Sequence, residues 1–381
     1  MVEVLLVVGL AVAVFVGFNI GGSSTGVAFG PAVGSKSISK ISAAALMTGF
    51  ALLGGATVGT EVVETMGGEI VPSDQFTLAA SVTVLFFVGA ALLISNLFGV
   101  PASTSMTAVG AIAGLGAASG TIRWSVMGQI VSWWLVAPII AFWVCAMIGR
   151  YLYPHLEARF TFESPGDERT RKELVGQVLV VAIGCYMAFS AGASNVANAV
   201  APLVGAGAVG LYPGVALAGG AIGLGAFTIA RRTLDTVGTG LTDLPIMAAL
   251  IVEVISATII SLLSWGGIPA SLAVSATMCI VGLGWGRATR TTTISQAASA
   301  AVTGEATPEP DGDREALSVD ALVHSEQPGD VPGIGEEDRA ELTAGDLFDP
   351  AATGRVVTLW VLTPTFSALA SFLVFEFVPI V

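Results

Sequence analysis

The residues best suited to bind a small ion lie inside runs that are otherwise apolar. "FSAGASNVANAVAPLVG" (189–205) places Ser194, Asn195 and Asn198 in one such run, and "FNIGGSSTGVAFGPAVG" (18–34) places Ser23, Ser24 and Thr25 in another. Two further stretches, "PASTSMTAVGAIAGLG" (101–116) and "PASLAVSATMCIVGLG" (269–284), carry Ser103, Thr104, Ser105 and Ser271 just after a proline, Pro101 or Pro269. Gly21, Gly22 and Gly192 permit a helix break or a close approach, and Pro31 and Pro202 can open or kink a helix. A helix start freed in this way presents amide donors to an anion, and the hydroxyl and amide side chains add to that ring. Enzyme chemistry has little to stand on: there is no HExxH, His155 and His324 fall between apolar segments, and Cys145, Cys185 and Cys279 sit singly in apolar runs without metal-ligand spacing.

The elements that position these groups must be membrane helices. The 381 residues are 54% hydrophobic and 11% charged. Apolar runs near 2–18, 76–98, 124–149, 174–190, 243–264 and 355–378 approach or exceed the roughly 20 residues that a spanning helix needs. The first run carries Glu3, has no preceding lysine or arginine and leads directly into a polar motif, so it reads as a retained span and not a signal peptide. Charge is concentrated in 304–350, which holds 14 of the 28 acidic residues with only Arg314 and Arg339; this segment reads as a disordered linker.

The chain is duplicated. A shift of 171 lays the motif at 18–34 on that at 189–205, with Phe18/Phe189, Gly21/Gly192, Ser23/Ser194, Pro31/Pro202 and Gly34/Gly205 identical, and pairs "ETMG" (64–67) with "DTVG" (235–238). A shift of 168 pairs the two "PAS" stretches, and one of 226 pairs Gly128, Trp134 and Pro138 with Gly354, Trp360 and Pro364, so the second copy has gained 58 residues that contain the linker. Each copy reads as five hydrophobic elements, and two consecutive odd-numbered units must lie inverted in the membrane. The expectation is an all-α integral membrane protein of about ten spans: a first repeat over 1–150, a cytoplasmic connecting loop over 151–173, four elements of the second repeat over 174–303, the cytoplasmic linker 304–350 and a last span over 351–381. With both termini outside, 14 of the 15 basic residues fall on the cytoplasmic side and only Arg123 outside.

Polar, glycine-rich segments at membrane depth are tolerated where they line a water-accessible cavity, and inverted repeats bring two of them together near the midplane. Small residues also let membrane helices pack closely. Packing alone does not require one polar cluster at matched positions of two copies, so a transport site is the favoured reading, with a passive channel and a membrane enzyme as the others.

The quoted motifs resemble those of the PiT family of inorganic phosphate transporters, whose duplicated signature is G-[AG]-N-D-V-A-N-A. "GASNVANA" (192–199) departs from it at Ser194 and Asn195, where the family has asparagine and aspartate. "GGSSTGVA" (21–28) departs further, with Ser23, Ser24 and Val27 in place of Asn, Asp and Asn. The resemblance implies symport of phosphate with sodium or protons by alternating access, in the cell membrane, as a homodimer, with no other cofactor and no nucleic-acid partner. The substrate-binding candidates are the polar residues of the duplicated motifs, Ser23, Ser24, Thr25, Ser103, Thr104, Ser105, Ser194, Asn195, Asn198 and Ser271. Because both motif aspartates are missing, sulfate or another oxyanion is the alternative substrate. Glu64 and Asp235, at matched positions, and Asn195 are the candidate sodium ligands; helix-end charges at the membrane interface are the other reading of the two acids.

Overall fold

A computed structural model describes residues 2–97, 103–159, 171–230, 234, 246–291 and 350–378, and every regular element among them is helical. The first copy forms α1 (Val2–Gly34), α2 (Lys40–Thr57), the short α3 (Gly59–Glu64) with a π-turn at Thr65–Glu69, α4 (Leu78–Leu97), α5 (Thr104–Ser119) and α6 (Trp124–Met147). The rest of the chain forms α7 (Tyr153–Arg159), α8 (Arg171–Gly205), α9 (Leu211–Thr228), α10 (Ile246–Trp265), α11 (Leu272–Ala288) and α12 (Pro350–Phe377). Eight described helices are long and apolar enough to cross a bilayer; α5 and α11 are apolar but shorter. The linker expected over 304–350 lies outside the described residues except for Pro350, which opens α12.

The copies are interlocked. α1 packs against α9 and α8 against α2, while α5 packs against α12 and α11 against α6, so these eight helices find their main partners in the other copy; α4 and α10 instead lie mainly on α1 and α8 of their own copies. Glycine makes these approaches possible. A Cβ on Gly21 would stand 1.9 Å from the Ile222 carbonyl oxygen, and one on Gly192 would stand 2.1 Å from that of Ala51. The shift of 171 that relates Gly21 to Gly192 also relates Ala51 to Ile222, so the two contacts are copies of one another. Gly114 meets the Ala368 carbonyl and Gly282 that of Phe142 in the same manner. In lipid, where burying apolar side chains gives little drive, backbone proximity of this kind holds helices together through dispersion.

Two local expectations change. α1 and α8 run unbroken through both motifs, with Pro31 and Pro202 each three residues from the helix end. Glycine inside a helix costs only about 1 kcal/mol relative to alanine, less than leaving backbone groups unpaired in an apolar surround, so these glycines serve approach and not breakage. The helical path is interrupted before α11 instead, where Gly267 takes a left-handed φ of 71° and the chain crosses to Ser271. The connecting loop expected over 151–173 begins as structure: a π-turn at Ile148–Leu152 leads into α7, whose fully buried Tyr153 lies under the Arg287 guanidinium, 4.2 Å from its ring centre. His155 on α7 is exposed.

The equivalent last elements, α6 and α12, turn large apolar side chains outward, among them Leu135, Ile139, Trp143, Val361, Leu369 and Leu373. These are the faces a bilayer would cover.

Candidate functional site

Four helices bring the polar motifs to one small cavity. α1 contributes Ser23, Ser24 and Val27, α8 contributes Asn195, the first turn of α5 contributes Thr104, and the start of α11 contributes Ser271, Leu272 and Ala273. The lining follows the duplication: Ser24 and Asn195 are equivalent under the shift of 171, as Thr104 and Leu272 are under that of 168.

Local sequence explains the two helix starts. Ser103 and Ser271, also equivalent, are the N-caps of α5 and α11, and their hydroxyls accept from the amides of Met106 and Val274, each at 3.3 Å. The remaining first-turn amides have no acceptor within their own helix, and the helix dipole leaves that end partially positive. Two such ends at one uncharged cavity form an environment for an anion.

Behind the lining is a bonded layer. Thr104 Oγ1 donates to Asn195 Oδ1 at 2.5 Å, and Asn198 Nδ2 donates to the same oxygen at 3.1 Å and to Ser105 Oγ at 3.2 Å. The hydroxyls of Ser105 and Ser194 reach the Ala270 carbonyl at 3.0 and 2.6 Å. These contacts tie α5 and α8 to the segment that leads into α11, whose Pro269 carbonyl also accepts from Trp134 Nε1 at 2.8 Å. Asn198 Oδ1 is buried without a hydrogen-bond partner.

The sequence-derived residues therefore separate into groups. Ser23, Ser24, Thr104, Asn195 and Ser271 line the cavity; Ser105, Ser194 and Asn198 stand behind it; Ser103 caps α5. Thr25 is turned away, its hydroxyl donating to the Gly21 carbonyl at 2.7 Å, because each residue advances about 100° around a helix and Thr25 leaves the face that Ser23 and Ser24 share at its edge. Ser23 also spends its hydroxyl on its own helix, 3.1 Å from the Ile20 carbonyl. Glu64 ends α3 on the exposed surface and is absent from the lining, and Asp235 lies outside the described residues.

Two features of the site region carry no motif in the sequence. Asn96 of α4 donates to Asn19 Oδ1 of α1 at 3.1 Å, a polar tie four residues before the first serine of the motif. Glu253 of α10 is 5% exposed, with Oε2 unpartnered. A single carboxylate inside the apolar run 246–265 was its signal; no motif or repeat partner drew attention to it, since the shift of 168 places Leu85 opposite.

The chain is 32% identical over 273 residues to the sulfate permease CysP of Bacillus subtilis (strain 168), covering 71% of this chain and 75% of that protein. The solved structure of a sodium-dependent phosphate transporter shares the fold, with a TM-score of 0.71 over 98% of both chains at 18% identity. The phosphate transporter family matches residues 20–371, across both copies of the polar motif and both capped helices. The match covers most of the chain, so the protein belongs to the phosphate transporter family, whose members are membrane transporters and not enzymes.

Proposed function

We propose that this protein is a secondary transporter of an inorganic tetrahedral oxyanion across the cytoplasmic membrane, by cation-coupled alternating access, with the cavity between α1, α5, α8 and α11 as its binding site. The observation that carries this reading is the pair of capped helix starts at Ser103 and Ser271, which meet Asn195 and Ser24 at one uncharged cavity. First-turn amides and hydroxyls would hold the anion's oxygens. The layer of Ser105, Ser194 and Asn198 would close the cavity beneath it, and its hydrogen bonds to Ala270 would break as the site opens to the other side.

The donor set favours sulfate. Sulfate is fully ionised at neutral pH and asks only for donors, whereas phosphate keeps a proton in part and is best recognised with a charged acceptor as well. No carboxylate lines the cavity among the described residues, and Asn195 Oδ1 already accepts from Thr104 and Asn198. The relation to a sulfate permease supports the same choice. Phosphate is the second reading, favoured by membership of the phosphate transporter family.

Both termini outside, the 304–350 linker in the cytoplasm, ten spans in two inverted repeats and a homodimer complete the proposal; the outward apolar faces of α6 and α12 would meet lipid or a second copy. Uptake of radiolabelled sulfate and phosphate into liposomes holding the purified protein, with sodium and proton gradients imposed separately, tests it. Cation-driven accumulation of sulfate above phosphate is expected. Uptake of neither anion would overturn the reading.

A further inference from the structure

Glu253 stands apart from the anion cavity. It lies about two turns into α10, and it is the one buried carboxylate among the described residues. A buried ionised carboxylate without a partner bears most of the cost of its lost hydration, so an acid held inside a span must be met by a cation, and such residues mark ion and proton paths.

Among the described side chains of the elements packed against α10, the titratable groups offer no counter-ion at its middle. α8 carries Cys185 and Tyr186, the latter donating to Thr258 at 3.2 Å. α11 carries Cys279, clustered with Cys145 of α6 around Tyr153, and Arg287, stacked on the ring of Tyr153. Glu61 and Glu64 of α3 and Glu3 of α1 are exposed and of like sign. A sodium ion asks for a shell of several oxygens. Among the described residues, the hydroxyl one turn on from Glu253 is that of Ser256, and it is already spent on the Val252 carbonyl at 2.7 Å, 3.9 Å from Met187 Sδ. A proton needs only the one carboxyl oxygen.

We infer that Glu253 is a proton-binding site of the transport cycle, the carboxyl that takes up and releases the coupling proton. Its link to the anion cavity is the α8–α10 contact. One turn beyond Glu253, the Ala257 carbonyl accepts from Ser190 of α8 at 3.0 Å; one further turn along α8, Ser194 bonds the Ala270 carbonyl and Asn195 enters the cavity. Movement of α8 that opens the cavity therefore also repacks the face of α10 that buries Glu253, and lets water reach it.

This inference rests on the oxyanion-transport reading, and two measurements on the full-length protein separate them. In liposomes with the membrane potential clamped, the wild type should accumulate radiolabelled sulfate under an acid-outside gradient. Glu253→Gln should lose that accumulation while still exchanging sulfate across the membrane, and Glu253→Asp should recover part of it. Accumulation by Glu253→Gln equal to wild type, or wild-type accumulation that follows sodium and ignores pH, would overturn the assignment. Infrared spectra in detergent serve if neither anion is exchanged, a result that would sink the transport reading alone: a protonated-carboxyl band present in wild type and missing from Glu253→Gln supports the proton site, and identical spectra overturn it.

Discussion

Among single residues, Asn195 is the pivot of the site: its amide stands where two first-turn helix starts and both motif copies meet. Asn195→Ala removes an acceptor that serves Thr104 at 2.5 Å and Asn198 at 3.1 Å, leaving donors unpaired at a cost of about 1–3 kcal/mol. Sulfate uptake should fall roughly tenfold at unchanged expression, since about 1.4 kcal/mol is a factor of ten. Asn195→Asp restores the carboxylate of the related signature and should shift preference from sulfate toward phosphate in a competition assay, with stronger cation dependence; an unchanged ratio would show that this position does not read the anion. Much of this site was legible in the sequence because duplication singled out Ser23, Ser24, Ser194, Asn195 and the "PAS" serines. Thr25 was misplaced because adjacency in sequence does not give the helix face, and Glu253 was missed because a lone carboxylate has no spacing to read.

At the scale of elements, helix pairing across the copies depends on glycine. Gly54 and Gly225 are equivalent positions whose added Cβ would stand 1.9 and 2.1 Å from the carbonyl oxygens of Phe189 and Phe18, whereas Gly49 and Gly220 of the same two helices, α2 and α9, have nothing within 4 Å. Gly54→Ala and Gly225→Ala should force α2 from α8 and α9 from α1, at an overpacking cost of about 1–3 kcal/mol or more. Melting curves of the detergent-purified variants should shift down for this pair and stay near wild type for Gly49→Ala and Gly220→Ala. The reverse order would mean that the close contacts do not hold the fold. The sequence showed that glycine mattered here but not how. Its pattern is the same for a broken helix and for a tight crossing, and the choice depends on which helix lies opposite, a long-range fact that no local window contains.

Across the whole molecule, the duplication and the helical class were legible from the chain alone, because apolar runs and matched motifs survive in the chain order itself. The exchange of partners between copies, α1 with α9 and α5 with α12, was not readable, since nothing in a repeat says whether it packs on itself or on its twin. Segment 304–350 has no counterpart in the first copy, so replacing it with a short flexible linker should leave sulfate uptake intact; lost uptake at normal expression would make it part of the gating machinery. If the two copies share one anion cavity, equilibrium binding of radiolabelled sulfate to the purified protein should depend on both of them. Wild type should bind sulfate, and Ser24→Ala in the first copy and Asn195→Ala in the second should each weaken binding, because both residues line the same cavity. Wild-type affinity in both variants would rule out a shared cavity and place the anion elsewhere.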